Sequence, residues 1–319
     1  MINVIKGILY RMTRNRPYLI MPLVITPIVI VVAIYFSSSF VTKLNIGVVG
    51  TDNISFESDE INIIKLNEKV PLSDLVKNKY DAVVTFENGK AKVDTVKGND
   101  LKDKLEKLLK GEEVSIKDGE KRGVAANIIG FLTMFVIMLG VSLYKFFFDD
   151  KKGISKRIIS ANISYEQYVA SHFISVFIML FVPIGIITVI AKELFNLNTS
   201  VTTLELFFIV SVLSLLSAAY GLLMSSITKE MESANMLGTM INIITTLIAG
   251  SFFTISNNSL INKIGEILPQ KHILSFTILL ENGKGISYGN LSNVLLISLI
   301  MIICSFLINR YKMRRYSYM

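Results

Sequence analysis

The sequence predicts an all-α polytopic membrane protein of six transmembrane helices, with a small extracellular α+β domain between helices one and two. Three observations carry this: the length of the apolar runs, the alternation of cationic clusters along the chain, and one charge-balanced polar insert. Of the 319 residues 51% are hydrophobic and only 18% charged, with a mean hydropathy of +0.54. Apolar runs fall at 18–38, 124–147, 169–191, 204–227, 235–256 and 290–308. Each is near the ~20 residues a helix needs to cross a hydrocarbon core of about 30 Å. None alternates with the period of two that a barrel strand would show.

Residues 1–16 carry Lys6, Arg11, Arg14 and Arg16 and predict a cytoplasmic interfacial helix before a span at 17–40. Pro17 fits the first helical turn, whereas Pro22 and Pro27 each remove a backbone bond and predict kinks. The apolar stretch from Tyr18 to Phe36 exceeds the 7–15 residues of a signal-peptide core, so an uncleaved anchor is expected. Further cations cluster after the second span (Lys145, Lys151, Lys152, Lys156, Arg157) and in the tail (Arg310, Lys312, Arg314, Arg315). Placing all three clusters in the cytoplasm requires an even number of spans and puts both termini inside the plasma membrane.

The insert at 41–122 then lies outside, its 15 Lys and Arg balanced by 16 Asp and Glu. Strands are expected at Leu44–Val49 and Ile61–Leu66, and a short helix capped by Ser73 up to Tyr80. Asp81–Phe86 and Lys90–Val96 flank Glu87-Asn88-Gly89 and predict a hairpin, because Asn-Gly supplies a positive φ. Asn99 caps a helix over Asp100–Lys110 that buries Leu101, Leu105 and Leu108, and Gly111 ends it. The domain is too small and too charged for a large binding cavity. The region 123–319 holds spans two to six. Within it, 257–289 has two apolar segments too short to cross, separated at Pro269, which predicts an extracellular re-entrant pair; a plain external loop is the alternative.

Several function classes are excluded by what is missing. Cys304 is the single cysteine, and His172 and His272 are the two histidines, so no metal cluster can be assembled. The net charge of +8 sits at helix ends, which speaks for orientation and against nucleic acid. Lys145, His172 and Glu205 lie near span ends and the span interiors hold no charge, which speaks against an ion-driven transporter and against an intramembrane enzyme. No catalytic residue is assigned. In the fifth span Asn235, Thr239, Asn242, Thr246 and Gly250 share one face; in the fourth, Ser214, Ala218, Gly221 and Ser225 do. Helix packing is the simpler reading of both stripes, and a substrate path or dimer seam the sharper reading of the fifth-span one.

The segment 148–168 reads Phe-Asp-Asp-Lys-Lys-Gly-Ile-Ser-Lys-Arg-Ile-Ile-Ser-Ala-Asn-Ile-Ser-Tyr-Glu-Gln-Tyr. It resembles the signature of the ABC type-2 exporter permease family. Asp149 and Asp150 match the acidic positions, Lys151 or Lys152 the basic one, Gly153 the glycine, and Ile158-Ile159-Ser160 with Ile163-Ser164 the end. Ile154 replaces the usual Thr, and Asn162 stands where Pro is common. Arg14-Asn15-Arg16-Pro17, the external insert, Gly250 and the pair around Pro269 follow in the family's order. The resemblance implies a coupling helix that docks on a cytoplasmic ABC ATPase, with Ile154, Ile158 and Ile159 as its apolar face and Lys156 and Arg157 on the rim. It also implies a second permease, identical or related, and an amphiphilic substrate such as a lipid, glycan, peptide or drug. There is no G-x-x-x-x-G-K-[ST] phosphate loop, so ATP and Mg belong to the partner ATPase and this chain is expected to hold no cofactor and to be no enzyme. Membrane lipids are the remaining partner. A non-transporting scaffold or sensor that binds a partner through the extracellular domain is the other reading.

Overall fold

A computed structural model describes residues 1–39, 44–50, 61–66, 75, 80–87, 90–95, 99–109, 122–150, 153–195, 197, 199–252 and 260–316. In chain order the elements are α1 (Ile2–Arg14), α2 (Arg16–Ser39), β1 (Leu44–Val49), β2 (Ile61–Leu66), β3 (Ala82–Glu87), β4 (Lys90–Asp94) and α3 (Asn99–Leu109). There follow α4 (Val124–Leu143), α5 (Lys145–Asp150), α6 (Ile154–Ser160), α7 (Tyr165–Leu194), α8 (Thr203–Ile227), α9 (Met231–Ile248), α10 (Leu260–Gly265), α11 (Pro269–Glu281) and α12 (Tyr288–Tyr316). The chain forms two compact units, one of Met1–Ser37 with Glu120–Met319 and one of Ser38–Gly119.

Among the described residues of the helical unit, five helices are long and apolar enough to cross a membrane: α2 over Arg16–Phe36, α4 with α5 over Val124–Asp150, α7, α8, and α12 over Tyr288–Lys312. The run expected as a further span, 235–256, coincides with α9, which is 18 residues long and is not among those five. Glu232, Asn235 and Asn242 lower its apolar character, and residues 253–256 lie outside the described residues. Helix α2 runs on through Pro22 and Pro27.

Helices α4 and α8 form the centre and approach to backbone contact. A Cβ on Gly221 would stand 2.5 Å from the Gly140 carbonyl, and one on Gly140 2.5 Å from that of Ser217. Only glycine permits that approach, and the Tyr144 hydroxyl pins the crossing by donating to the Ala218 carbonyl at 2.9 Å. The fourth-span stripe is therefore packing. Buried hydroxyls of Thr133, Ser175, Thr188 and Ser217 each donate to the carbonyl four residues earlier at 2.7 Å, so they need no water. Outward faces are apolar: Ile28, Val31 and Tyr35 on α2, Val182, Ile186 and Ile190 on α7, and Leu296, Leu299, Ile303 and Leu307 on α12 are all exposed. A surface this apolar calls for an apolar solvent, and the chain is a multi-pass membrane protein.

In the inserted unit the strand order is β2-β1-β3-β4. Strand β1 pairs in parallel with both β2 (Leu44 opposite Ile61) and β3 (Ile46 opposite Ala82), and β3 pairs antiparallel with β4 through Glu87 and Lys90. A hairpin is present as expected, but Glu87, expected in the turn, is the last residue of β3 and pairs with Lys90, and β4 ends at Asp94; the parallel core was not legible from the strand positions. It follows from burial on both faces: Ile46, Val48, Val84 and Val93 pack with Leu105 of α3, and Val83 packs with Leu75 and Tyr80 on the other side. The Asn88-Gly89 turn, Gly111, and the Ser73 helix apart from Leu75 and Tyr80 lie outside the described residues.

Candidate coupling site

Asp149 and Asp150 end α5, and neighbours on a helix point about 100° apart, so one can face outward while the other faces in. Asp149 is exposed and Asp150 is fully buried. The Asp150 carboxylate accepts two bonds from the Arg11 guanidinium, at 2.5 and 2.8 Å. The Tyr168 hydroxyl donates to it at 3.2 Å, and His172 Nε2 lies 3.1 Å from the same oxygen. Aromatic rings wall the group in: Tyr168 and Phe147 meet the His172 ring at 4.8 and 5.3 Å, and Phe146 lies 6.0 Å below the guanidinium. The hydrogen bond to Asp150 holds the Arg11 guanidinium above its ordinary pKa, against the opposing effect of burial. Arg11 arrives on α1, which is the expected amphipathic helix and which buries Ile8 and Met12 as it packs along α7.

After Asp150 the chain turns. Gly153 donates its N–H to the Asp150 carbonyl at 3.2 Å and adopts φ 147°, a conformation that favours glycine. The seven-residue α6 follows and closes at Ala161, and Asn162 takes φ 66°. That left-handed geometry suits asparagine and is closed to proline, whose ring holds φ near −65°, so the departure at Asn162 has a backbone reason. Ser164 and Gln167 then build a capping box that starts α7.

The residues expected to couple are thus divided. Ile154 and Ile159 are exposed, at 41% and 38%, and Arg157 is exposed. Ile158 turns inward and packs on the core, and Ile163 is half-buried. Asp150 faces into the bundle. Lys151 and Lys152, and the side chain of Lys156, lie outside the described residues. Sequence reasoning missed the partners of Asp150. The signal was present, because Arg11 on an amphipathic helix and His172 inside a span each need a counter-group.

The α9 stripe also faces inward. Asn242 is buried and donates to the Met134 carbonyl of α4 at 2.8 Å, Thr246 donates to Asn242 at 3.2 Å, and Asn235 accepts from Ser142 at 3.4 Å. Thr239 on the same face is half-buried. These side chains are committed to the bundle, and the exposed face of α9 is Met236, Met240, Ile244 and Leu247. Pro269 is the first residue of α11, where its missing N–H has no helical partner to lose. Gln270 donates to Thr245 at 2.8 Å and ties α11 to α9.

At the opposite end of the α4–α5 run the charges meet backbone. Arg122 donates to the carbonyls of Gly250 and Ser251, and burial lowers its pKa to about 10. Glu281 accepts the N–H groups of Ala125 and Ala126, at 2.9 and 3.0 Å, and the Thr199 hydroxyl at 2.9 Å.

A family model described as ABC-2 type transporter matches residues 80–281. The chain belongs to the ABC-2 type transporter family. The ABC-2 match takes in Asp150, α6, the α9 stripe and Pro269, and it begins after Arg11. Over 205 residues the chain is 24% identical to the linearmycin resistance permease protein LnrN of Bacillus subtilis (strain 168), which covers 63% of this chain and 53% of that protein. This ABC-2 chain therefore spans about half the length of the curated relative it matches.

Proposed function

We propose that this chain is the permease subunit of an ATP-driven exporter that moves an amphiphilic substrate out of the cell. A separate ATPase chain, carrying the ATP and Mg, supplies the power, and a second permease, identical or related, completes the path. In this reading α9 is a sixth span, α10 and α11 form the re-entrant pair, residues 41–122 lie outside, and both termini are cytoplasmic at the plasma membrane. The observation that carries it is α6: a short helix, bracketed by Gly153 and Asn162, that leaves Ile154 and Ile159 exposed beside Asp149. Two exposed isoleucines on a helix pinned at both ends are suited to a groove on a partner. Membership of the ABC-2 type transporter family supports the same role, and a relative named for linearmycin resistance supports a drug among the candidate substrates.

Co-purification tests it. The wild-type chain is expected to bring down an ATPase, identified by ATP hydrolysis in the purified complex, and the Ile154→Asp, Ile159→Asp variant to lose it. The inward Ile158 is the wrong residue to change, because aspartate there would damage the bundle as well as the contact. Absence of any ATPase from the wild-type preparation would sink the exporter reading in favour of a scaffold or sensor.

A further inference from the structure

Helix α4 begins without a cap of its own. Gly123 precedes it in an extended conformation, φ −83° and ψ −177°, and has no side chain to take its first amides. The cap comes from another helix. Glu281 ends α11, where the partial negative charge of a helix C-terminus disfavours a carboxylate, so its own helix gives it no reason to be acidic. Its oxygens instead accept the Ala125 and Ala126 N–H groups and the Thr199 hydroxyl, and its carbonyl accepts the Ser200 hydroxyl. A Cβ at Gly123 would overlap that carboxylate. Past Glu281, Gly283 and Gly285 turn the chain toward α12 at φ 70° and 75°.

We infer that Glu281 is a positioning residue, a latch that holds the end of α11 and the α7–α8 connection on the first turn of α4, with Gly123 as the notch that admits it. The backbone at 123 is one that any residue adopts, so space rather than conformation is the reason for glycine there. One carboxylate serves α4, α11 and the α7–α8 connection, so all of them let go when it leaves. Leaving is cheap, because Glu281 is half-buried and water can take over each of its bonds in turn. Arg122, next to Gly123, adds the end of α9 to the same cluster through the carbonyls of Gly250 and Ser251. That the latch yields when the export path opens rests on the function proposed above; the latch itself stands without it.

Hydrogen–deuterium exchange on the purified chain in lipid nanodiscs tests the latch. Gly123→Ala leaves every bonding group in place and displaces only the flexible end of Glu281. Gly123→Ala and Glu281→Ala are each expected to speed exchange at Ala125 and Ala126 about tenfold, with central α8 unchanged. The double variant is expected to match either single one, because all three lose the same contact. Glu193→Ala, which removes an exposed acid at the end of α7, is expected to change nothing at these amides. Wild-type exchange in Gly123→Ala, or effects of the two substitutions that multiply, overturns the inference. With an ATPase bound, Glu281→Ala is expected to keep the ATPase and raise its hydrolysis without substrate several-fold, whereas Ile154→Asp, Ile159→Asp loses the ATPase itself. Hydrolysis at the wild-type rate in Glu281→Ala overturns the part of the latch in export. A wild-type chain that binds no ATPase removes the proposed function and leaves the exchange result to decide the latch.

Discussion

The two ends of the α4–α5 run solve the same problem, a charged group out of water, in different ways. At the Asp150 end the charges meet each other, with side chains 139 positions apart in one ion pair. At the Glu281 end they meet backbone, with Glu281 on the first amides of α4 and Arg122 on the last carbonyls around Gly250. A helix terminus carries a partial charge spread over several groups, so a cap lost there leaves neighbours to share the load. At the other end one fully buried carboxylate takes its charge partner from a single guanidinium, with Tyr168 and His172 as its remaining contacts. The Asp150 end is accordingly the brittle one.

That contrast can be broken in order of size. Arg11→Ala should destabilise the chain by about 3 kcal/mol, seen as a large fall in the apparent Tm of detergent-purified protein, because the buried Asp150 carboxylate keeps only Tyr168 and His172 beside it. Glu281→Ala should cost about 1–2 kcal/mol in the same assay, the range for a lost helix cap. Arg122→Met should cost about 1 kcal/mol, since burial already disfavours the charge that the substitution removes. If Glu281→Ala proves as severe as Arg11→Ala, the distinction between the two ends fails. Ile154→Asp with Ile159→Asp should change stability by no more than about 0.5 kcal/mol each while abolishing ATPase binding, which separates a contact surface from a structural one.

Much of the framework was legible because it is periodic. The long apolar runs became helices, and the strands at Leu44–Val49 and Ile61–Leu66 fall where they were expected. What escaped was what faces what. The 4-3-4-4 spacing of Asn235, Thr239, Asn242, Thr246 and Gly250 defines a face, but only the neighbouring α4 shows that this face points inward. Ile158 and Ile159 are adjacent and equally apolar, and the angle of α6 against the core decides which of them is free. Asp150 matched a family position, yet its partner comes from a helix that the ABC-2 type transporter match does not reach. Local pattern assigns elements; long-range pairing decides the role of each side chain.

The pairing of Arg11 with Asp150 also orders events in time. At about 5–20 residues per second the counter-charge of Arg11 follows it after roughly 7–28 seconds of synthesis. Until Asp150 and then α7 are in place, α1 has neither its ion partner nor the surface on which Ile8 and Met12 are buried. Helix α1 is thus synthesised before the elements that hold it, and a chain halted before residue 150 would leave Ile8, Arg11 and Met12 without them.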